Sequence, residues 1–330
     1  MKLKIFVGII IGCVSLYGLL VFLSQKRFDV EWGISFNQNH ATSLGLDWKE
    51  VYSETLRDLK PQHIRIAAMW SEVEKVKGVY NFDDVDWMMH EANKYGTKVT
   101  LVVGQKAPRW PECHVPNWLT FDEQETEKHL FSYVENTVKR YKDHPALNIW
   151  QVENEAFINF TFGECEGFVK SVIYNEIDIV KKVDTKHKIV ITDSGELSFW
   201  NKAAHAGDYF GSTLYRIVRL PKGKIFTYDW LPAGFYRAKA WILGINSERF
   251  FISELQAEPW FTSVSIQKTS IKEQEETMNI ERLHQHLEYS QHVGASRVYL
   301  WGVEWWYWMR HANGDDRYWE EVKKQLITSN

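Results

Sequence analysis

Ile149-Trp150-Gln151-Val152-Glu153-Asn154-Glu155 is a short, mostly apolar run that closes on acids, and Phe250-Phe251-Ile252-Ser253-Glu254-Leu255-Gln256 repeats the pattern a hundred residues later. A run of this kind reads as a strand of a parallel sheet, buried on both faces, that delivers a carboxylate at its C-terminal end. Working outward, similar strand signals fall at 29–36, 62–68, 98–103, 147–153, 188–192, 209–214, 249–253 and 297–301. Helical spacing separates them at 48–59, 82–95, 123–141, 168–183, 235–245 and 273–292, with a last helix at 320–327. In the second of these helices Val85, Met88, Met89 and Ala92 share one face and Gly96 supplies the stop.

Eight strand signals in alternation with helical stretches in one chain of this length predict an α/β fold, a closed (β/α)8 TIM barrel. A doubly wound open sheet competes, but no glycine-rich phosphate loop follows the first strand. The barrel is expected over 29–330, after an N-terminal segment 1–28. In that segment Ile5 to Leu23 carries no charge and follows Lys2 and Lys4. As a helix it is roughly 28 Å long, close to the hydrocarbon thickness of a bilayer. No small-x-small cleavage site precedes Gln25, so a retained signal anchor, one transmembrane helix, is expected. The lysines favour a cytoplasmic N-terminus and an extracytoplasmic barrel, at the cell surface or in the periplasm.

The chain has 330 residues, 25% of them charged, and a net charge of -4 with no basic stripe, which argues against nucleic acid as a partner. Sixteen tryptophans are a surplus. They serve either flat aromatic surfaces in a cleft or a Trp-rich core. Cys113 and Cys165 are free thiols or, in an oxidising compartment, a bridge. His284-Gln285-His286 sits at a helical spacing that does not face one ion, and no His-Glu-x-x-His or Cys-x-x-Cys occurs. No metal or cofactor is expected.

A barrel keeps its site at the C-terminal strand ends. Glu155 follows strand four and Glu254 ends strand seven, so the two can face one another across the mouth, the arrangement that glycosidic bond cleavage needs. Glu153 is expected to share the strand parity of Glu155 and lie deeper as a buried structural acid. Glu258 reads as an exposed loop acid. Glu304, Trp305, Trp306 and Trp308 fit a subsite or simple rim packing.

These stretches resemble the strand-four and strand-seven motifs of clan A glycoside hydrolases, within the clan most of all the β-galactosidase families 42 and 35. Trp70-Ser71-Glu72 through Gly78-Val79-Tyr80-Asn81-Phe82, Pro108-Arg109-Trp110 and Tyr299-Leu300-Trp301-Gly302 match in the same order. The resemblance implies a retaining β-glycosidase without a cofactor that acts on a β-linked oligo- or polysaccharide. Glu155 would be the acid/base and Glu254 the nucleophile. Asn154 would hold the sugar 2-hydroxyl, Arg65 and Tyr215 would touch the nucleophile, and Trp301 would be the sugar platform. Trp110 and Trp260 are further candidate sugar contacts. A cell-surface carbohydrate-binding or transglycosylating barrel is the alternative, followed by a structural barrel whose acids only form salt bridges.

Overall fold

The computed structural model describes residues 2–119, 123–159, 163–165, 168–220, 223–260 and 266–328. Eight parallel strands close into a barrel in sequence order. They are β1 (Glu31–Ser35), β2 (His63–Ala67), β3 (Lys98–Val103), β4 (Leu147–Val152), β5 (Lys188–Asp193), β6 (Tyr209–Leu214), β7 (Phe250–Gln256) and β8 (Arg297–Trp301). Closure is the pairing of β1 with β8, from Glu31 opposite Arg297 to Ser35 opposite Trp301.

The two faces of the sheet differ. Outward residues such as Ile64, Leu101, Trp150, Ile191, Ile252 and Leu300 join the large core shared with the helices. Inside, Ile149, Val190 and Phe251 form a small apolar layer. Below them the Arg297 guanidinium lies 4.8 Å from the Phe251 ring centre and 2.6 Å from Glu31. Gly33 is required here, because the Tyr299 ring occupies the space a Cβ would need. Above the apolar layer the interior turns polar, with Arg65 and Gln151 both buried. The barrel is therefore plugged at the bottom and open to chemistry at the top.

Several boundaries differ from expectation. β7 runs on to Gln256, so Glu254 lies inside the strand rather than at its end. The helix expected at 273–292 is two helices, Ile271–Glu275 and Ile280–Ser290. Asn279 caps the second by accepting from the Arg282 amide at 2.9 Å. Within 216–230 a small antiparallel hairpin pairs Ile217–Arg219 with Ile225–Thr227. The tryptophan surplus goes largely to the core: Trp32, Trp70, Trp150, Trp200, Trp305, Trp306 and Trp319 are fully buried. Cys113 and Cys165 form a disulfide that ties the loop after β3 to the loop after β4. The first helix is Lys2–Leu23, and its stretch Lys4–Leu23 is long and apolar enough to cross a membrane, a property a signal sequence would share.

Candidate active site

β7 reaches the mouth through a bulge. On one side Ser212 pairs with Ile252 and Thr213 with Glu254; on the other Val298 pairs with Ile252 and Leu300 with Leu255. One residue of β7 is thus extra on both sides. Phe251 faces the barrel interior and Ile252 the helices, so strict alternation would send Glu254 outward with Ile252. The extra residue at Ser253 re-aims Glu254 into the mouth, a common use of bulges beside sites. There Glu254 accepts from Arg65 Nη1 at 2.9 Å and from the Tyr215 hydroxyl at 3.0 Å. Arg65 is itself fixed by Gln151 Oε1 at 2.8 Å, Asn154 Oδ1 at 2.7 Å and the Ser253 carbonyl at 3.3 Å.

Glu155 arrives differently. It lies beyond the end of β4, and both Glu153 and Glu155 have positive φ, 59° and 45°. Non-glycine residues rarely adopt this region, at about 1–3 kcal/mol each. The expected shared parity of the two acids fails at this turn, because the left-handed residues break the alternation. Glu153 points into the wall and accepts from the amides of Gln105 and Lys106 at 2.7 and 2.6 Å. It is fully buried, as expected of a structural acid. Burial and proximity also hold Glu176, on the neighbouring helix, well above the usual carboxylate range. Glu155 turns into the mouth, where Thr213 Oγ1 donates to it at 3.1 Å. Burial, then the charges of Glu254 and Glu112, push its carboxyl well above the ordinary range. A proton donor needs that kind of environment.

Asn154 links Arg65 to the loop after β3. Its Oδ1 accepts from Arg65, and its Nδ2 donates to Glu112 Oε2 at 3.3 Å. Glu112 is a further buried carboxylate, one that the sequence did not single out. Burial pushes it up to about 7 against the pull of Lys106. The neighbouring Cys113 was the available signal, since the disulfide holds this loop over the site.

A second cluster adjoins Trp301. Arg109 donates to both oxygens of Glu258 and to Glu304 Oε2 at 2.9 Å. Its guanidinium lies 4.1 Å from the Trp301 ring centre, so it covers a face expected to be free for sugar. Trp301 Nε1 donates to Glu258 Oε1 at 2.9 Å. Glu258 is only 8% exposed, which corrects the expectation of an exposed loop acid. Of Pro108-Arg109-Trp110 it is Arg109 that turns inward, with φ 87°, while Trp110 is 65% exposed on the rim. Trp260 meets the Tyr215 ring edge-on with centroids 5.4 Å apart. Trp305 and Trp306 are core residues, bonded to Gln274 and to the Ala257 carbonyl. Among the described residues His40, Glu258 and Glu304 bring possible metal ligands within 4.8 Å of one another. Arg109 already donates to both carboxylates, so a cation there would have to displace a guanidinium.

The model of glycosyl hydrolase family 10 matches residues 52–180, which includes Glu155 and stops before Glu254. The β-galactosidase Pbg of Clostridium perfringens is 27% identical over 132 residues, covering 33% of this chain and 19% of that protein. Xylanase 10B from Thermotoga maritima superposes with a TM-score of 0.56 at 15% identity, covering 94% of this chain and 98% of that one. A β-galactosidase from the psychrophilic Marinomonas ef1 gives 0.55 at 16%, covering 82% and 54%. The chain thus spans about half the length of that β-galactosidase structure, and its match spans about a fifth of the curated relative. The closed barrel is the fold of these solved structures, and the partial sequence matches make the chain similar to glycosyl hydrolase family 10 and to the β-galactosidases.

Proposed function

We propose that the protein is a retaining glycoside hydrolase that cleaves a β-linked oligo- or polysaccharide, with Glu254 as nucleophile and Glu155 as acid/base. The observation that carries this is the contrast between the two carboxylates. Glu254 faces a guanidinium and a phenol, whereas burial and acidic neighbours hold the Glu155 carboxyl well above the usual carboxylate range.

In the first step a Glu254 oxygen attacks the anomeric carbon. The glycosidic C–O bond breaks and the Glu155 proton passes to the leaving oxygen. In the second, the Glu155 carboxylate takes a proton from water, whose oxygen attacks the same carbon and releases Glu254. Asn154 is assigned to the sugar 2-hydroxyl, Trp301 with Arg109 to the floor of the cleft, and Trp260 and Trp110 to outer sugar contacts. Neither step calls for a metal or a cofactor.

The helix Lys2–Leu23 acts in this reading as a retained anchor that keeps the barrel of residues 29–330 on the extracytoplasmic side. The test is proton NMR of the first-formed product from an aryl β-glycoside: the β-anomer is expected before mutarotation, and an initial α-anomer would refute the double displacement.

A further inference from the structure

The anchor helix is docked on the barrel, and the docking leaves it too short. Lys4–Leu23 spans about 30 Å as a helix, the thickness of the hydrocarbon core. Its last turns are tied down at three points. The Tyr17 hydroxyl donates to the Trp230 carbonyl at 3.0 Å, Arg237 donates to the Leu23 carbonyl, and the Gly234 amide donates to Ser24 Oγ at 2.7 Å. Gly234 is where the two helices cross, and a Cβ there would run into the Leu20 carbonyl. Small residues at such crossings let helix backbones approach closely. From Tyr17 to Leu23 the docked stretch takes up about 10 Å, so the free part, Lys4 to Leu16, reaches only about 20 Å. The helix can stay docked and still span the bilayer only if the barrel wall beside it enters the membrane by roughly the missing 10 Å.

That wall has a surface suited to it. On the helix Gly234–Ile242, Trp241 is 81% exposed and Ile242 is 73% exposed. Trp230 and Phe199 are exposed beside it, Phe199 on the loop 195–200. Lys239 Nζ fastens this loop to the helix by donating to the carbonyls of Gly195, at 3.0 Å, and Ser198. Leu16, Leu19 and Leu20 of the anchor share an apolar cleft of about 590 Å³ with Trp241, Ile242 and Ile245. Exposed apolar patches of this kind mark interaction surfaces, and tryptophan concentrates at the membrane interface. Continuity with the anchor selects lipid as the occupant.

We propose that the barrel rests on the bilayer through the helix Gly234–Ile242 and the loop 195–200, with Trp241, Ile242, Trp230 and Phe199 seated in the interfacial region. This rests on the anchored reading above. The test uses the full chain in phosphatidylcholine liposomes, with Cys13→Ala and a bimane label introduced through Ile242→Cys. A parallel protein carries the label through Val76→Cys, after β2 on the opposite side of the barrel. Nitroxide lipid should quench the label at 242 and spare that at 76, with aqueous iodide doing the reverse. Gly234→Val should weaken lipid quenching at 242 while the chain still floats with the vesicles. Equal iodide quenching at both positions in liposome-bound protein would overturn the proposal. Protection of 242 from both quenchers would also overturn it, by showing a protein contact instead. A mature chain that begins after Leu23 would remove the anchor itself, and N-terminal sequencing distinguishes that failure from the other two.

Discussion

The ends of β4 and β7 both present an acid to the same cleft, yet they do so with opposite means. Glu254 stays within a strand and is turned inward by one extra residue, then clamped by Arg65 and Tyr215. Glu155 lies past its strand on a left-handed backbone, and among the described residues Thr213 is the hydrogen-bond donor to its side chain. A bulge with a cationic clamp suits a group that must be charged and fixed. A strained turn in a dry, acidic neighbourhood suits one that must hold and release a proton. Chemical identity alone does not set the roles of two glutamates; their surroundings do.

The contrast is broken most directly at Glu254. Glu254→Gln should lower aryl glycoside turnover by about 10⁴-fold or more, since no covalent intermediate can form. Steady-state rates that fall less than tenfold would show that β7 does not supply the nucleophile. Glu155→Ala should lose ~10²–10⁴-fold on substrates with poor leaving groups. With good leaving groups the rate should return on adding azide, as a β-glycosyl azide visible by mass. Failure of every leaving group to recover would put the acid elsewhere.

Tyr215→Phe sharpens the comparison from the other side. Losing one hydrogen bond to a charged group is worth about 1.5–3 kcal/mol, or roughly 10–100-fold in kcat/KM. The smallest effect belongs to Glu112→Gln. Glu112 helps to raise Glu155, and in the proposed mechanism Glu155 acts protonated, so the rate should fall as pH rises through its pKa. Removing that charge should move the basic limb of the kcat/KM profile to lower pH. An unmoved limb would mean that Glu112 is not felt by the acid.

The apolar runs made the barrel legible, and the ranges of β3, β6 and β8 coincide with the expected ones. Periodicity shows where strands lie. It does not show the extra residue in β7 or the left-handed turn after β4, because nothing in the residue types at Ser253, Glu153 or Glu155 demands either. The strand-end pattern brought Glu155 and Glu254 to attention, resemblance added Arg65, Asn154 and Tyr215, and the fold gathers the five in one cleft. Glu112, and the gathering of Arg109, Glu258 and Glu304 into one cluster, were harder to see. They come from the loops after β3 and β7 and from the first turn of the helix Val303–Asn313 after β8, and only the closed barrel makes those segments neighbours. Of Pro108-Arg109-Trp110 the sequence reading named Trp110 as a sugar contact, whereas the backbone at Arg109 turns the guanidinium inward and leaves the Trp110 ring on the rim.

The central claim is that Glu254 attacks the sugar. Intact-protein mass spectrometry after exposure to a panel of 2-fluoro β-glycosides, followed by peptide mapping, tests it most directly. The account predicts one added 2-fluoroglycosyl group, as an ester on Glu254. An adduct on Glu155 or Glu112, with Glu254 unmodified, would contradict it.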